Sequence, residues 1–173
     1  MKVVLSMAVS LNGMVAREDG QEDWLPAVGW DDFLADVNRF GNFIMGRQTY
    51  ELVQSLYPDH NFDDIDGVPK IIVTRNENYQ ASESYIVVHS PEDALEFLAK
   101  NNIETAMLIG GGKINSQFLK RNLVDEVWLT YSPHILGKGR PVIDPENLDI
   151  VLTLTSIEQR SLGRVHTKYS INK

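Results

Sequence analysis

Two glycine-bearing turns carry the residue types that could hold phosphate groups. They are Gly46-Arg47-Gln48-Thr49 and Gly110-Gly111-Gly112-Lys113, and each lies between a short apolar run and a stretch with helical spacing. A helix that begins directly after such a turn presents unpaired backbone N–H groups at the positive end of its dipole, where proteins bind phosphate. We therefore expect the two turns to hold the two ends of a dinucleotide. Neither turn matches the G-x-G-x-x-G pattern, so an ordinary Rossmann site is not predicted.

Three cations lie close to these turns and could make charge-assisted contacts with phosphate. Arg47 and Lys113 belong to the turns, and Arg75 directly follows the β-branched run at 71–74. Guanidinium and ammonium groups form short, strong hydrogen bonds with phosphate oxygens. Arg75 taken alone would equally be read as the solvated end of a strand.

Composition narrows the classes of function. A length of 173 residues predicts one domain over 1–173, and a net charge of -8 argues against nucleic-acid binding. The chain has no cysteine, which fits a reducing cytoplasm. The apolar N-terminal run Val3–Val9 is too short to span a membrane and lacks a signal-peptide cleavage pattern. We expect a cytoplasmic protein that binds a small molecule, with no membrane partner.

The elements that position these turns alternate between strands and helices. Helical spacing runs from Trp30 to Phe40, and Ser90-Pro91-Glu92-Asp93 has the composition of a helix N-terminus with Ser90 as its cap. The late strands Leu148–Ile157 and Val165–Ile171 contain period-two alternation, at Leu152–Thr155 and Val165–Ser170, and predict a terminal antiparallel pair. The pattern predicts an α/β/α three-layer fold with a mostly parallel sheet and an antiparallel C-terminal edge. Ligands of such sheets bind at the carboxyl ends of the strands.

Two further expectations concern loops and histidines. The polar segment from Ser10 to Gly20 is rich in Gly, Asn and Asp and is predicted to be a mobile flap. The four histidines show no metal-ligand spacing, so we predict no metal site and interpret each one as a loop or surface residue. They are His60, His89, His134 and His166.

The motifs in their order along the chain resemble the dihydrofolate reductase fold. Ile44–Glu51 is similar to the signature of that fold, and Ile109–Leu119 is similar to its second cofactor loop and helix. Ser10–Gly13 and Pro133–Pro141 resemble the riboflavin-biosynthesis branch, although Asn12 stands where that branch usually has Asp. The chain is therefore identified as a stand-alone member of the RibD C-terminal reductase family. The zinc deaminase half of the bifunctional enzymes needs cysteines, and because this sequence has none we do not expect that half here.

The resemblance implies NADPH as cofactor and hydride transfer to a pyrimidine- or pterin-type substrate, as in 5-amino-6-(5-phosphoribosylamino)uracil reductase. Dihydrofolate is the alternative substrate, and a nucleotide-binding module without turnover is the alternative function. Because the riboflavin branch is commonly dimeric, a homodimer is expected. The implied cofactor-binding residues are Ala8, Gly13, Trp24, Gly46, Arg47, Gln48, Thr49, Thr74, Arg75, Asn76, Ile109, Gly110, Gly111, Gly112, Lys113 and Ile114.

Three residues are candidates for catalysis. In this fold a carboxylate at the start of the first helix grips the amino-pyrimidine edge of the substrate, and Asp31 and Asp32 stand near that place. Asp31 is favoured by its spacing after Trp24, and either acid could relay a proton. Both acids could instead be first-turn residues that only stabilise the helix dipole. Thr130 could approach the same site or be a generic strand threonine, and Trp24 could line the nicotinamide or simply anchor its loop.

Overall fold

The computed structural model describes residues 1–58 and 62–173, so the predicted loop position of His60 lies outside the described residues. Within those ranges the strands are β1 (Lys2–Ser10), β2 (Met14–Ala16), β3 (Phe43–Gly46), β4 (Lys70–Val73), β5 (Ile86–Val88), β6 (Thr105–Leu108), β7 (Glu126–Ser132), β8 (Arg140–Pro141), β9 (Leu152–Gln159) and β10 (Val165–Ile171). The helices are α1 (Val28–Phe40), α2 (Arg47–Leu56), α3 (Pro91–Lys100) and α4 (Gly112–Lys120).

Eight strands form one sheet in the order β5-β4-β3-β6-β1-β7-β10-β9. The six strands from β5 to β7 pair in parallel, and β10 pairs antiparallel with both β7 and β9. This arrangement confirms the predicted mostly parallel sheet with an antiparallel C-terminal edge. None of the helices in the described ranges is long and apolar enough to cross a membrane.

Helices cover both faces of the sheet because its central strands are apolar on both sides. In β3, Phe43 and Met45 pack with residues of α1, whereas Ile44 points to the opposite face and packs with residues of α3 and α4. Continuous apolar runs are typical of parallel strands buried on both faces. The three layers predicted from the alternation of elements are therefore confirmed.

Two local predictions have different outcomes. Ser90 caps α3 as predicted, because its hydroxyl accepts a hydrogen bond from the Asp93 N–H at 3.0 Å. The segment predicted to be a flap contains β2, which pairs with β8 in a separate two-stranded sheet. The sequence does not indicate this pair, because each strand is only two or three residues long and its partner lies more than 120 residues away.

Gly112 is a position where the fold requires the absence of a side chain. A Cβ atom there would lie 2.5 Å from the Pro141 carbonyl oxygen and 2.6 Å from Asp144 Oδ1. Gly112→Ala should therefore lower the free energy of unfolding by about 1–3 kcal/mol through overpacking. Gly29→Ala in α1 is the matched control, since its Cβ would meet no atom within 4 Å. Denaturant unfolding of both variants measures the difference, and equal stabilities would contradict the packing argument.

Candidate active site

The two glycine turns meet at the carboxyl ends of β3 and β6. The Gly46 N–H donates to the Gly110 carbonyl oxygen at 2.8 Å, and the Gly111 N–H donates to Thr49 Oγ1 at 2.7 Å. Because α2 begins at Arg47 and α4 begins at Gly112, the first N–H groups of both helices have no partner within their own helix. The structure therefore brings the two predicted turns into one contiguous region with two helix N-termini.

The second turn packs closely against the side chains of Met7 and Thr49 because its own residues lack side chains. Gly110 has a φ of +96°, a conformation that favours glycine, and a Cβ there would lie 2.7 Å from the Met7 side chain. Gly111 has more room, since its Cβ would be 3.2 Å from Thr49 Oγ1. The Gly110–Gly111 peptide bond is cis. This cradle of backbone fits the close approach that a pyrophosphate requires.

The predicted phosphate-binding cations surround this region. Arg47 lies in the first turn of α2, where it pairs with Glu51 at 3.0 Å and stacks over the Tyr79 ring. Arg75 is exposed just beyond the end of β4, next to β3 in the sheet, and Lys113 is exposed in the first turn of α4. The cations thus stand at the same edge of the sheet as the glycine turns.

The other predicted cofactor residues spread along the same edge. Thr74 is buried and its Oγ1 accepts the Asn76 N–H, while Gln48 is exposed on α2. Ile114 packs behind Gly46, and the Ile109 N–H donates to the carbonyl oxygen of Ile44 in β3. Ala8 lies within β1, and Gly13 lies in the turn that follows this strand. Trp24 stacks on His134 with 5.8 Å between ring centroids.

The two acids of α1 have different environments. Asp31 is exposed to solvent. Asp32 is 29% exposed and binds two cations from the C-terminal hairpin, with Arg160 at 3.2 Å and Arg164 in direct contact. Arg164 is only 3% exposed, so this ion pair ties α1 to the residues before β10. The acid favoured from spacing is thus at the surface, and its neighbour is committed to an ion pair. Their catalytic roles stay predictions.

Thr130 is buried and has an unforeseen partner. Its Oγ1 lies 2.9 Å from His166 Nδ1, and His166 is 3% exposed. The interpretation of His166 as a loop or surface residue is therefore wrong, because strand pairing places it opposite Thr130 on the face covered by α1. Burial, helped by the charges of Arg160 and Lys168, lowers the pKa of His166 below its usual value. His89 is exposed after β5, and His134 is exposed in a loop.

Two buried polar groups at this end of the sheet have no hydrogen-bond partner among the described residues. They are the Ser132 hydroxyl and the indole nitrogen of Trp24. Ser132 is the last residue of β7, two positions after Thr130 and hence on the same face, and it is 3% exposed. The sequence analysis missed Ser132. Its period-two spacing from Thr130 is the signal that could have identified it.

Asn12 fixes the loop that follows β1. Its side-chain Nδ2 donates to the Leu136 carbonyl oxygen at 2.6 Å, and its Oδ1 accepts the Leu136 N–H at 3.1 Å. A carboxylate could accept but not donate, so Asp could not make both bonds. The departure from the resemblance at position 12 therefore has a structural use. It clamps the loop after β1 to the loop after β7.

The described residues include no group of three or more His, Cys, Asp or Glu side chains that could hold a metal ion. The site is therefore built from glycine turns, cations and a hydroxyl-bearing strand. The comparison with known proteins agrees with this architecture, because residues 1–165 match the family model described as RibD C-terminal domain. The chain belongs to the RibD C-terminal domain family. Its relatives indicate a reductase of the riboflavin-biosynthesis and dihydrofolate reductase kind.

The matches to individual relatives extend over nearly the whole chain. The uncharacterized protein YwjB of Bacillus subtilis is 32% identical over 167 residues, which is 91% of each chain. A candidate riboflavin biosynthesis protein from Shewanella sp. PV-4 superposes with a TM-score of 0.83 at 22% identity and covers 100% of both chains. Dihydrofolate reductase from Enterococcus faecalis, solved with NADP(H), gives a TM-score of 0.66 at 19% identity over 99% of this chain and 97% of that one. The fold is thus dihydrofolate reductase-like.

The Asp32–Arg164 ion pair should contribute to stability far more than Asp31 does. Asp32→Asn leaves the buried guanidinium group of Arg164 without its counter-charge, and we expect the free energy of unfolding to fall by about 2–3 kcal/mol. This expected loss is at or below the cost usually measured for breaking a fully buried ion pair. Solvent screens the pair in part, because Asp32 is 29% exposed. Asp31→Asn is the control and should change stability by less than about 0.5 kcal/mol. Equal melting temperatures for the two variants would show that the pair does not hold α1.

Proposed function

We propose that residues 1–173 form one reductase domain that uses NADPH to reduce a pyrimidine- or pterin-type ring. The observation that carries this proposal is the direct contact between the two glycine turns at the carboxyl edge of the sheet. Gly46 donates to Gly110, and two helix N-termini open beside that bond. Membership of the RibD C-terminal domain family supports the same reaction class.

The residues present fit NADPH. The free N–H groups at the starts of α2 and α4 would hold the pyrophosphate, and Arg47 and Arg75 would bind the 2′-phosphate. Ala8 and Trp24 would border the nicotinamide. When bound, the cofactor supplies a hydride, and the chain contributes position and electrostatics.

A proton must reach the substrate as well, because reduction of a C=N bond adds hydrogen to both atoms. We propose that Thr130 orients the substrate ring and that one acid of the Asp31-Asp32 pair, with Asp31 favoured, delivers the proton directly or through water. His166 would hold the Thr130 hydroxyl in place through its 2.9 Å contact. Positioned acids and bases of this kind contribute roughly 100–10,000-fold in rate.

Two alternatives follow from the same architecture. Dihydrofolate is the alternative substrate, since the fold is shared with dihydrofolate reductase. A nucleotide-binding module without turnover is the alternative function. Following NADPH oxidation by absorbance with a panel of pterins, pyrimidines and quinones separates the three. Turnover of a pyrimidine or of a pterin other than dihydrofolate supports the proposal, preferred turnover of dihydrofolate supports the alternative substrate, and tight NADPH binding without any turnover supports the module.

NADPH should bind more tightly than NADH, and Arg75 should account for much of the difference. Arg75→Gln removes a charge-assisted contact and should weaken NADPH binding about tenfold or more while leaving NADH binding unchanged. Lys100→Gln is the control, because Lys100 is exposed at the end of α3, away from the glycine turns. Calorimetric titration of both cofactors measures the effect. Equal affinity of the wild type for NADH and NADPH would remove the 2′-phosphate role.

We also propose that the chain forms a homodimer through the open end of its sheet. Every residue of β9 is exposed, including Leu152, Leu154 and Ile157. Their partners in β10 are Ile171, Tyr169 and Thr167, so these three apolar side chains share the face away from α1. An exposed edge strand with an apolar face is a liability in a monomer and a natural place for a second copy to pack.

Charges on this apolar face should dissociate the dimer. The double substitution Leu154→Lys and Ile157→Lys would bury two ammonium groups in the interface, so we expect a mass near 19.6 kDa by light scattering at micromolar concentration. Ser156→Lys is the control, because Ser156 pairs with Lys168 on the opposite face of the same strand. A wild-type mass near 19.6 kDa across the micromolar range would contradict the dimer itself.

A further inference from the structure

We propose that His166 is a positioning residue: it binds the hydrogen of the Thr130 hydroxyl and leaves the Thr130 oxygen to accept a hydrogen bond from the substrate. This inference rests on the proposed function, in which Thr130 orients the substrate ring. It deepens that function by giving the polarity of the contact. A ring that presents an N–H or amino group to Thr130 is then favoured over a ring that presents a carbonyl oxygen there.

The contact between Thr130 and His166 is buried and fixed by strand pairing. The two residues are opposite each other in β7 and β10, and 2.9 Å separates Thr130 Oγ1 from His166 Nδ1. Thr130 is 9% exposed and His166 is 3% exposed, so little bulk water competes for this bond. The His166 ring also packs edge-on against Trp128, with 6.0 Å between the ring centroids. Strand pairing and the Trp128 contact together hold the imidazole beside the Thr130 hydroxyl.

The direction of this hydrogen bond follows from the donors and acceptors of the pair. A hydroxyl has one hydrogen and two lone pairs, whereas a neutral imidazole has one N–H and one bare nitrogen. In the part of the chain that the structure describes, His166 Nδ1 is the one hydrogen-bond partner of Thr130 Oγ1. If Nδ1 carried the proton, the Thr130 hydrogen would be buried without an acceptor, which is costly. His166 Nε2 is not one of the buried atoms that lack a partner, so a proton there has no such cost. The hydroxyl therefore donates to Nδ1.

His166 is neutral at about pH 7 because burial and cations outweigh the acids around it. Burial lowers the pKa of His166 below its ordinary value, and the charges of Arg160 and Lys168 lower it further, while Asp36 and Glu158 raise it. The charged side chains on the elements packed around His166 are Asp32, Asp36 and Arg39 of α1, Glu126 of β7, Glu158 of β9, Lys168 of β10, and Arg160 and Arg164 of the turn between the last two strands.

Protonation of His166 would reverse the hydrogen bond. With both ring nitrogens protonated, Nδ1 can only donate, so the Thr130 oxygen accepts from His166 and the Thr130 hydrogen needs another acceptor. An N–H group of the substrate would then approach a hydroxyl that itself needs an acceptor, and its binding would weaken. We therefore expect the His166 contribution to kcat/KM to be lost as the pH is lowered through the pKa of His166 in the free enzyme.

The tautomer of His166 can be measured without any turnover. ¹⁵N NMR of the ring nitrogens distinguishes a protonated nitrogen from a bare one, and the His166 signals are identified by their loss in His166→Asn. In the wild type at about pH 7.5, where the ring is neutral, we expect a protonated Nε2 and a bare Nδ1. A protonated Nδ1 in that neutral ring overturns the inference and leaves the reductase proposal intact.

Two substitutions separate this role from a merely structural one. His166→Asn supplies a carbonyl oxygen that can accept the Thr130 hydrogen and does not titrate, whereas His166→Leu removes the acceptor. With NADPH and 5-amino-6-(5-phosphoribosylamino)uracil at about pH 8, His166→Asn should keep kcat/KM within about threefold of the wild type, and His166→Leu should lower it about tenfold, mainly through KM.

The pH profile supplies the readout that a structural role would not change. The ratio of the wild-type kcat/KM to that of His166→Asn should fall by up to about tenfold between about pH 8 and pH 5, because only the wild type has an imidazole to protonate at this position. Titration of other acids and of the substrate cancels in this ratio. His89→Asn is the control, since His89 is exposed after β5 at the far edge of the sheet, and its ratio should stay constant.

The outcomes distinguish this inference from the proposed function. A ratio for His166→Asn that stays constant with pH, or a KM unchanged in His166→Leu, overturns the positioning role while turnover continues. If His166→Leu does not fold, the NMR measurement and the profile of His166→Asn decide the question. If the wild type binds NADPH but reduces neither this uracil nor dihydrofolate, the reductase proposal fails, and the substrate contact assigned to Thr130 fails with it.

Discussion

The register of β1 is the constraint on which the rest of the site depends. This strand has a parallel neighbour on each side, with Leu5 opposite Leu108 of β6 and Ala8 opposite Thr130 of β7. A shift of one residue would turn every side chain of β1 to the other face, so the buried apolar side chains on both faces hold the register strictly. The register of β1 therefore fixes how far along the sheet the second glycine turn and Thr130 lie relative to Ala8.

A second constraint is the way α1 is held against the polar end of the sheet. Apolar residues of α1 pack over β3 and β6, but the neighbouring stripe of the helix faces β1, β7 and β10 with polar side chains. Asp36 accepts a hydrogen bond from Ser6 at 2.8 Å, and Asp32 binds Arg164. Because a buried guanidinium group is costly without a counter-charge, this contact specifies how α1 and the C-terminal hairpin must be placed. The positions of the buried residues Thr130 and His166 relative to α1 follow from that placement.

Local features of the sequence predicted most of the fold and the glycine turns. The Ser90 cap, the positions of the helices and the turns at Gly46 and Gly110 depend on residues close together in the chain, and pattern and propensity identify such features. The features that sequence reasoning missed depend on distant residues. Arg164 is 132 positions from Asp32, and the burial of His166 depends on its pairing with Thr130, 36 positions away. Neither relation leaves a periodic signal in one sequence.

The C-terminal hairpin carries the proposed dimer interface on one face and residues of the candidate active site on the other. One face of β9 and β10 presents Leu154 and Ile157, which a second copy would cover. On the opposite face the same two strands carry Glu158 and His166, and the turn between them supplies Arg160 and Arg164 to Asp32. Because side chains alternate across a strand, an interface that fixes the twist of the hairpin on one face also fixes the positions of the site residues on the other. Assembly would therefore stabilise the geometry of the pocket without any residue crossing from the partner.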